Sequence, residues 1–206
     1  MKKYGCIGKK VGHSFSKDIH AKLADYKYEL IELNEEEIDS FFKQKDFAAI
    51  NVTIPYKQTV IPYLDSISEI ANRIGAVNTI VNKDGKLLGY NTDYYGMKAL
   101  IEKTDIDFQN KKVLILGTGG TSKTAQIVAQ DLGANQILTV SRRESLEFIT
   151  YDQAKKNHSD ANIIIKTVKY LMSPIFFYLI GMTMASERKK DDSIIKIYMI
   201  AVIPYF

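Results

Sequence analysis

Four apolar residues, Val113 to Leu116, run directly into Gly117-Thr118-Gly119-Gly120-Thr121-Ser122-Lys123-Thr124. A helical pattern through Ala125, Val128 and Leu132 follows and ends at Gly133. No other stretch constrains the fold as much. A short unbroken apolar run is what a strand buried on both faces looks like. Glycines at 117 and 119 permit a tight turn and close approach of a diphosphate, and the helix behind them offers free N–H groups and positive potential. A second strand, Gln136 to Val140, and a third, Ala161 to Ile165, continue the alternation. Strand and helix in turn imply a parallel sheet with right-handed crossovers, an α/β fold. Ser122 occupies the sixth position of the dinucleotide fingerprint, where Gly or Ala is standard. A plain glycine turn in an ordinary α/β domain is the competing reading.

The end of the second strand bears on which dinucleotide would bind. An NAD site carries an acid there for the ribose 2′-hydroxyl. This chain has Ser141-Arg142-Arg143 instead, and two guanidinium groups suit a 2′-phosphate, which favours NADP. A solvated basic turn, with Glu144 close by, would look the same.

The first half is organised around Asn51-Val52-Thr53-Ile54-Pro55-Tyr56-Lys57. A strand from Ala48 to Thr53 is broken by Pro55, which has no N–H to give a ladder. Lys57 follows where a helix would begin. A cation there opposes the helix dipole, so it is either a solvated charge or a placed one. Before this motif come a strand Tyr4–Ile7 closed by Gly8 and a loop Gly12-His13-Ser14-Phe15-Ser16. Ser16 reads as the N-cap of a helix whose apolar positions Ile19 and Leu23 are four apart. A strand Tyr28–Leu33 leads to Asn34 and Glu37, a capping-box spacing, and a helix through Phe41 and Phe42. After the motif, helical patterns run through Val60 and Leu64 and then from Ile67 to Ile74, with Gly75 as the stop. Thr79–Val81 and Leu87–Tyr90 form a hairpin with an Asp84-Gly85 turn. Asn91-Thr92-Asp93 closes it, and a helix from Tyr94 to Lys103 bridges two domains, 1–93 and 94–206.

Lys57 and Asp93 each lie just beyond a strand end, and two such ends on one sheet can face a common cleft. A lysine there can pass a proton to or from an alcohol oxygen if desolvation lowers its pKa, while a neighbouring aspartate orients it and pulls the pKa back up. Ordinary surface charges are the competing reading. Ser14, Ser16, Thr53, Asn78 and Asn91 add hydroxyls and amides that suit a polyhydroxylated substrate, and that serve equally as caps and turns.

Composition narrows the classes. The 206 residues are 46% hydrophobic and 25% charged, which fits a soluble globular protein. The net charge of +4 is spread over scattered Lys and Arg, so nucleic acid is not an expected partner. Cys6 stands alone, which fits a reducing, cytoplasmic setting, and the N-terminus lacks the apolar core of a signal peptide. His13, His20, His158 and Cys6 show no metal-ligand spacing.

Taken together, these motifs resemble the shikimate dehydrogenase family in order and spacing. Gly12-His13-Ser14-Phe15-Ser16 is similar to that family's carboxylate-binding serine pair. The Asn51–Lys57 stretch is similar to its substrate strand ending in the catalytic lysine. Gly75-Ala76-Val77-Asn78-Thr79 and Gly89-Tyr90-Asn91-Thr92-Asp93 resemble the segments carrying a substrate-binding asparagine and the catalytic aspartate. Gly117-Thr118-Gly119-Gly120, continuing into Thr121, resembles its NADP loop, and Ser141-Arg142-Arg143 its 2′-phosphate clamp, with Ser141 where asparagine is common. Lys10 and Lys17 stand where prolines are frequent. The resemblance implies an N-terminal α/β substrate domain followed by an NADP-binding Rossmann-like domain. It implies NADPH-dependent reduction of 3-dehydroshikimate to shikimate in aromatic amino acid biosynthesis. Lys57 and Asp93 would form the catalytic pair, and Ser14, Ser16, Thr53 and Asn78 would bind the substrate. The expected state is a monomer or homodimer with small-molecule partners only.

The resemblance covers Tyr4 to Ile165 and then stops. Lys166-Thr167-Val168-Lys169-Tyr170 stands where the family has Asn-Thr-Thr/Ser-Pro followed by Gly-Met. Gly181-Met182 lies too far along, and the family's substrate-binding glutamine is missing. The tail 166–206 therefore reads as a frame-shifted or truncated ending that leaves the Rossmann-like domain incomplete. Tyr170 to Ser186 has no charged residue but is short for a membrane span and is interrupted by Pro174 and Gly181. Two alternatives stand beside the leading one: a quinate/shikimate dehydrogenase, and an inactive module that keeps the substrate cleft. The two arginines weigh against a quinate-using, NAD-accepting relative.

Overall fold

The computed structural model describes residues 3–12, 14–23, 25–167 and 200–201. His13 and the charge-free run from Tyr170 to Ser186 lie outside the described residues, as does most of the tail. The chain divides into two compact units, one reaching to Asp93 and the other beginning at Tyr94.

The first unit is built on strands β1 (Lys3–Gly8), β2 (Tyr28–Glu32), β3 (Phe47–Val52), β4 (Ser66–Ile67), β5 (Thr79–Lys83) and β6 (Lys86–Tyr90), in the order β2-β1-β3-β5-β6-β4. β1 pairs in parallel with both β2 and β3, while β5 is antiparallel to β3 and to β6. Helices α1 (Ser16–Leu23), α2 (Glu35–Gln44) and α3 (Glu69–Ile74) make the connections. The start of α2 is held as its sequence implies, the Glu37 carboxylate accepting the Asn34 N–H at 2.7 Å. Asp84 and Gly85 both take positive φ in the β5–β6 turn, as a two-residue hairpin requires.

Successive strand residues point to opposite faces of a sheet, and here the two faces differ in kind. Ile7 pairs with Val52, and Ile50 with Ile80, on one face. These four join Ile38 and Phe42 of α2 and Leu87 in the main apolar core. Cys6 pairs with Asn51, Asn51 with Thr79 and Thr79 with Tyr90 on the other face. There Cys6 packs with Val11 and Tyr28 in a small separate cluster, and His20 of α1 stacks on the Tyr28 ring at 3.9 Å.

Three local expectations are corrected. The pattern through Val60 and Leu64 gives only a 3-10 turn at Ile61–Tyr63. Pro62, inside it, has no N–H to extend an α-helical ladder, and the bonds run three residues back, Tyr63 N to Val60 O and Leu64 N to Ile61 O. Ser66 and Ile67 form β4 beside β6, so the following helix starts at Glu69, capped by the Ser68 hydroxyl. Ser16 is the first residue of α1 rather than its cap, and Ile19 and Leu23 are exposed rather than core.

Helix α4 (Asp93–Glu102) starts on the last residue of the first unit and continues into the second, where it is followed by β7 (Lys112–Leu116), α5 (Gly120–Asp131), β8 (Gln136–Ser141), β9 (Ile149–Thr150), α6 (Tyr151–Asn157), β10 (Ile163–Lys166) and β11 (Ile200–Ala201). The strands form one parallel sheet in the order β11-β10-β7-β8-β9. Val113, Leu114, Ile115 and Leu116 are all buried, the outcome expected of a central parallel strand.

Candidate active site

Lys57 reaches its position through a turn, not a helix. The Ile54–Pro55 peptide is cis, and the Tyr56 N–H donates to the Thr53 carbonyl at 2.9 Å. The Tyr56 ring is buried in the core and its hydroxyl donates to the Leu33 carbonyl at 2.6 Å, anchoring the turn from below. The Lys57 carbonyl accepts the Val77 N–H at 2.8 Å. With its backbone fixed on both sides, the side chain extends to Asp93, Nζ to Oδ2 2.6 Å.

Asp93 comes from another strand end and is the first residue of α4, where a carboxylate is favoured by the helix dipole. Its approach is fixed by Asn78, whose Oδ1 accepts the Thr92 N–H at 2.8 Å, the Thr92 hydroxyl at 3.2 Å and the Thr79 hydroxyl at 3.1 Å. With Oδ1 taken up in this way, the amide nitrogen is left as the donating end of the Asn78 side chain. The Lys57 and Asp93 side chains are 17% and 24% exposed. A pair so sheltered sets an ammonium, a group able to donate a proton, against a carboxylate that holds it in place.

The other expected residues also lie in the first unit, each with its own hydrogen bonds. The Ser14 hydroxyl donates to the Ser16 hydroxyl at 2.9 Å and accepts the Ser16 N–H at 3.2 Å, joining the two serines as one group. Thr53 is buried just past β3, its N–H bonded to the Ile7 carbonyl at 2.9 Å. Asn91 is different: it is buried and donates to the Ala76 carbonyl at 3.0 Å, a structural tie between two loops.

Reading the chain by motif passed over Tyr28, Thr79 and Thr92 and gave Asn51 no role. The Tyr28 hydroxyl donates to Asn51 Oδ1 at 2.6 Å, and Asn51 Nδ2 donates to the Thr79 hydroxyl at 3.2 Å. The signal for Asn51 was its parity, since it is the polar residue between Ile50 and Val52. Cys6, on the same face, is held as a thiol: burial pushes its pKa up to about 11, although the Lys57 charge acts the other way.

In the second unit, Gly117 takes φ of 119°, a conformation that favours glycine. Gly119 is the N-cap of α5 and makes no side-chain cap bond, and a Cβ there would meet nothing within 4 Å. Thr118 and Gly119 are exposed, while Gly120 and Thr121 are partly buried in the first turn. The loop therefore leaves the start of α5 without a side-chain cap, the kind of helix end at which an anion can bind. Ser122 is buried in α5, its hydroxyl oxygen without a hydrogen-bond partner among the described residues. At the end of β8 the Ser141 hydroxyl accepts the Arg143 N–H at 3.2 Å, and Arg142 and Arg143 are exposed. Among the described residues no cluster of three His, Cys, Asp or Glu side chains is placed to hold a metal ion.

Comparison with known proteins gives one consistent result. The family model described as the shikimate dehydrogenase substrate binding domain matches residues 6–80. A shikimate dehydrogenase (NADP(+)) of Clostridium beijerinckii is 39% identical over 191 residues, spanning 84% of this chain and 70% of the relative. The crystal structure of shikimate dehydrogenase 1 from Peptoclostridium difficile superposes with a TM-score of 0.74 at 34% identity, covering 84% of this chain and 70% of that one. Shikimate 5-dehydrogenase from Thermus thermophilus, solved in complex with NADP(H) and shikimate, gives 0.70 at 25% identity, covering 82% and 69%.

Proposed function

Because the chain belongs to the shikimate dehydrogenase family, we propose that it catalyses the NADP-dependent reduction of 3-dehydroshikimate to shikimate. The observation that carries this reading is the 2.6 Å pair of Lys57 and Asp93, two residues 36 positions apart in the sequence. When bound, NADPH supplies the hydride to the ring ketone. The Lys57 ammonium delivers the proton to the ketone oxygen as charge develops there. Asp93 holds the ammonium in one orientation throughout. Ser14 and Ser16 bind the acid's carboxylate, and Thr53 and the Asn78 amide take the ring hydroxyls.

The residues of the second unit fit the cofactor. Gly117, Thr118, Gly119, Gly120 and Thr121 present the open turn and uncapped helix start that a diphosphate needs. Ser141, Arg142 and Arg143 provide a hydroxyl and two guanidinium groups for the 2′-phosphate, the group that separates NADP from NAD. The reading places the protein in aromatic amino acid biosynthesis in the cytoplasm, as a monomer or homodimer acting on small molecules. No helix among the described residues is long and apolar enough to cross a membrane.

The test is direct. The purified chain should reduce NADP when given shikimate, and do so faster than with quinate or with NAD as acceptor. Shikimate binding without any turnover would instead assign the chain to a substrate-binding module.

A further inference from the structure

Tyr28 carries no role in the reaction just described, yet its hydroxyl lies at the centre of the site's hydrogen bonds. It stands at the start of the outermost strand, and its ring crosses over Cys6 of β1 to reach Asn51 on β3. The ring is 5% exposed and fixed by the stack of His20.

The direction of each bond along this row can be assigned. Asn51 Nδ2 faces the Asn78 backbone carbonyl at 3.5 Å and the Thr79 hydroxyl at 3.2 Å. A backbone carbonyl only accepts, so the amide nitrogen must face it and Oδ1 must point the other way. Oδ1 then receives the Tyr28 proton at 2.6 Å. Burial raises the Tyr28 pKa, so the proton is retained, and the Ser16 hydroxyl adjoins the phenol oxygen. Ser14 in turn donates to Ser16, and the Thr79 hydroxyl donates to Asn78 Oδ1. The row runs from the serine pair through Tyr28, Asn51 and Thr79 to Asn78.

We propose that Tyr28 is a positioning residue for the substrate: by donating to Asn51 and lying against Ser16, it holds both ends of the substrate-binding row in one orientation. The inference rests on the substrate reading above. Without the Tyr28 hydroxyl, Asn51 Oδ1 loses its donor, and flipping the amide would set its oxygen against the Asn78 carbonyl. The amide is then free to leave the plane that aligns Thr79 and Asn78. Tyr28→Phe removes only the hydroxyl and keeps the ring stacked on His20.

Shikimate titrated calorimetrically into the full chain tests this, with wild type, Tyr28→Phe, Asn51→Ala and the double variant. Tyr28→Phe should weaken shikimate about tenfold, the scale of one hydrogen bond within a network. In the Asn51→Ala background the same change should cost much less, because its main route of action is gone. Penalties that simply multiply, or a Tyr28→Phe variant that binds like wild type, would overturn the proposal. A second readout separates this from a failure of the substrate reading. In the protein without shikimate, the Asn51 side-chain amide should exchange its protons several-fold faster in Tyr28→Phe than in wild type. If wild type takes up no shikimate, the substrate reading fails, and this exchange rate still decides whether Tyr28 orients Asn51. An unchanged rate sinks the positioning role.

Discussion

The two faces of the first sheet are made by the same strands, and alternate residues have opposite duties. Ile7, Ile50, Val52 and Ile80 point one way into an apolar core closed by α2. Cys6, Asn51 and Thr79 point the other way, and two of the three take part in a chain of hydrogen bonds. A one-residue step along β3 therefore passes from a side chain of the apolar core to one in the hydrogen-bonded row. On the proposed reading parity separates stability from binding, so changes on the two faces should have different signatures.

The largest effect belongs to the residue that leaves the sheet altogether. Lys57→Ala should lower the shikimate turnover number about a thousandfold, within the range for loss of a positioned proton donor, while changing shikimate affinity far less. Steady-state kinetics with a separate binding titration checks this. Comparable loss in both would reassign Lys57 to ground-state binding. On the core face, Ile80→Ala deletes a fully buried side chain and should destabilise by about 2–5 kcal/mol. Denaturant unfolding should show that loss, while the folded fraction keeps wild-type affinity for shikimate. A matching loss of affinity would mean that the faces are coupled.

How much of this was visible in the chain follows from the same geometry. The meeting of Lys57 with Asp93 was legible because each follows a strand end; β3 and β6 both run antiparallel to β5 between them, so the two ends lie at the same edge of the sheet. The glycine loop was legible because strand, turn and helix are contiguous. The Tyr28–Asn51–Thr79 row was not. Tyr28 and Asn51 are 23 residues apart and meet across an intervening strand, so their contact depends on strand order and register together. Apolar spacing at Val60 and Leu64 alone implies a helix, and Pro62 between them overrides it. The two-residue strands β4, β9 and β11 carry too few residues for any periodicity. Ser14, Ser16 and Asn78 were singled out, but the bonds that orient them come from side chains whose sequence neighbourhood is unremarkable.

Gly8, at the end of β1 on the Cys6 side, sharpens the comparison further. A Cβ on Gly8 would stand 2.6 Å from Thr53 Cγ2 and 2.8 Å from Val11 Cγ1. Gly8→Ala must therefore displace both the Thr53 and the Val11 side chains, at a cost of about 1–3 kcal/mol for overpacking. Unlike Ile80→Ala, it should weaken shikimate binding as well as stability, because Thr53 is assigned to the substrate. Loss of stability with affinity untouched would remove Thr53 from that assignment.

Cys6 is the exception that limits the parity rule. It lies on the polar face, in register with Asn51, yet it is buried and packs with Val11 and Tyr28 like an apolar residue. Burial raises its pKa from the ordinary 9.0 to about 11, the nearby Lys57 charge offsetting only part of the shift. An acid whose folded pKa is raised binds its proton more tightly when folded. Its contribution is then fully present below the unfolded value and is lost as pH rises toward the folded one. Relative to Cys6→Ala, wild type should hold its stability up to about pH 8.5 and then lose about 1 kcal/mol by about pH 10. Parallel unfolding titrations of the two proteins measure the difference directly, since the lysines and tyrosines that also titrate there are common to both. Parallel stability curves through that range would mean that the thiolate forms as easily in the fold as outside it, and Cys6 would then belong with the polar row after all.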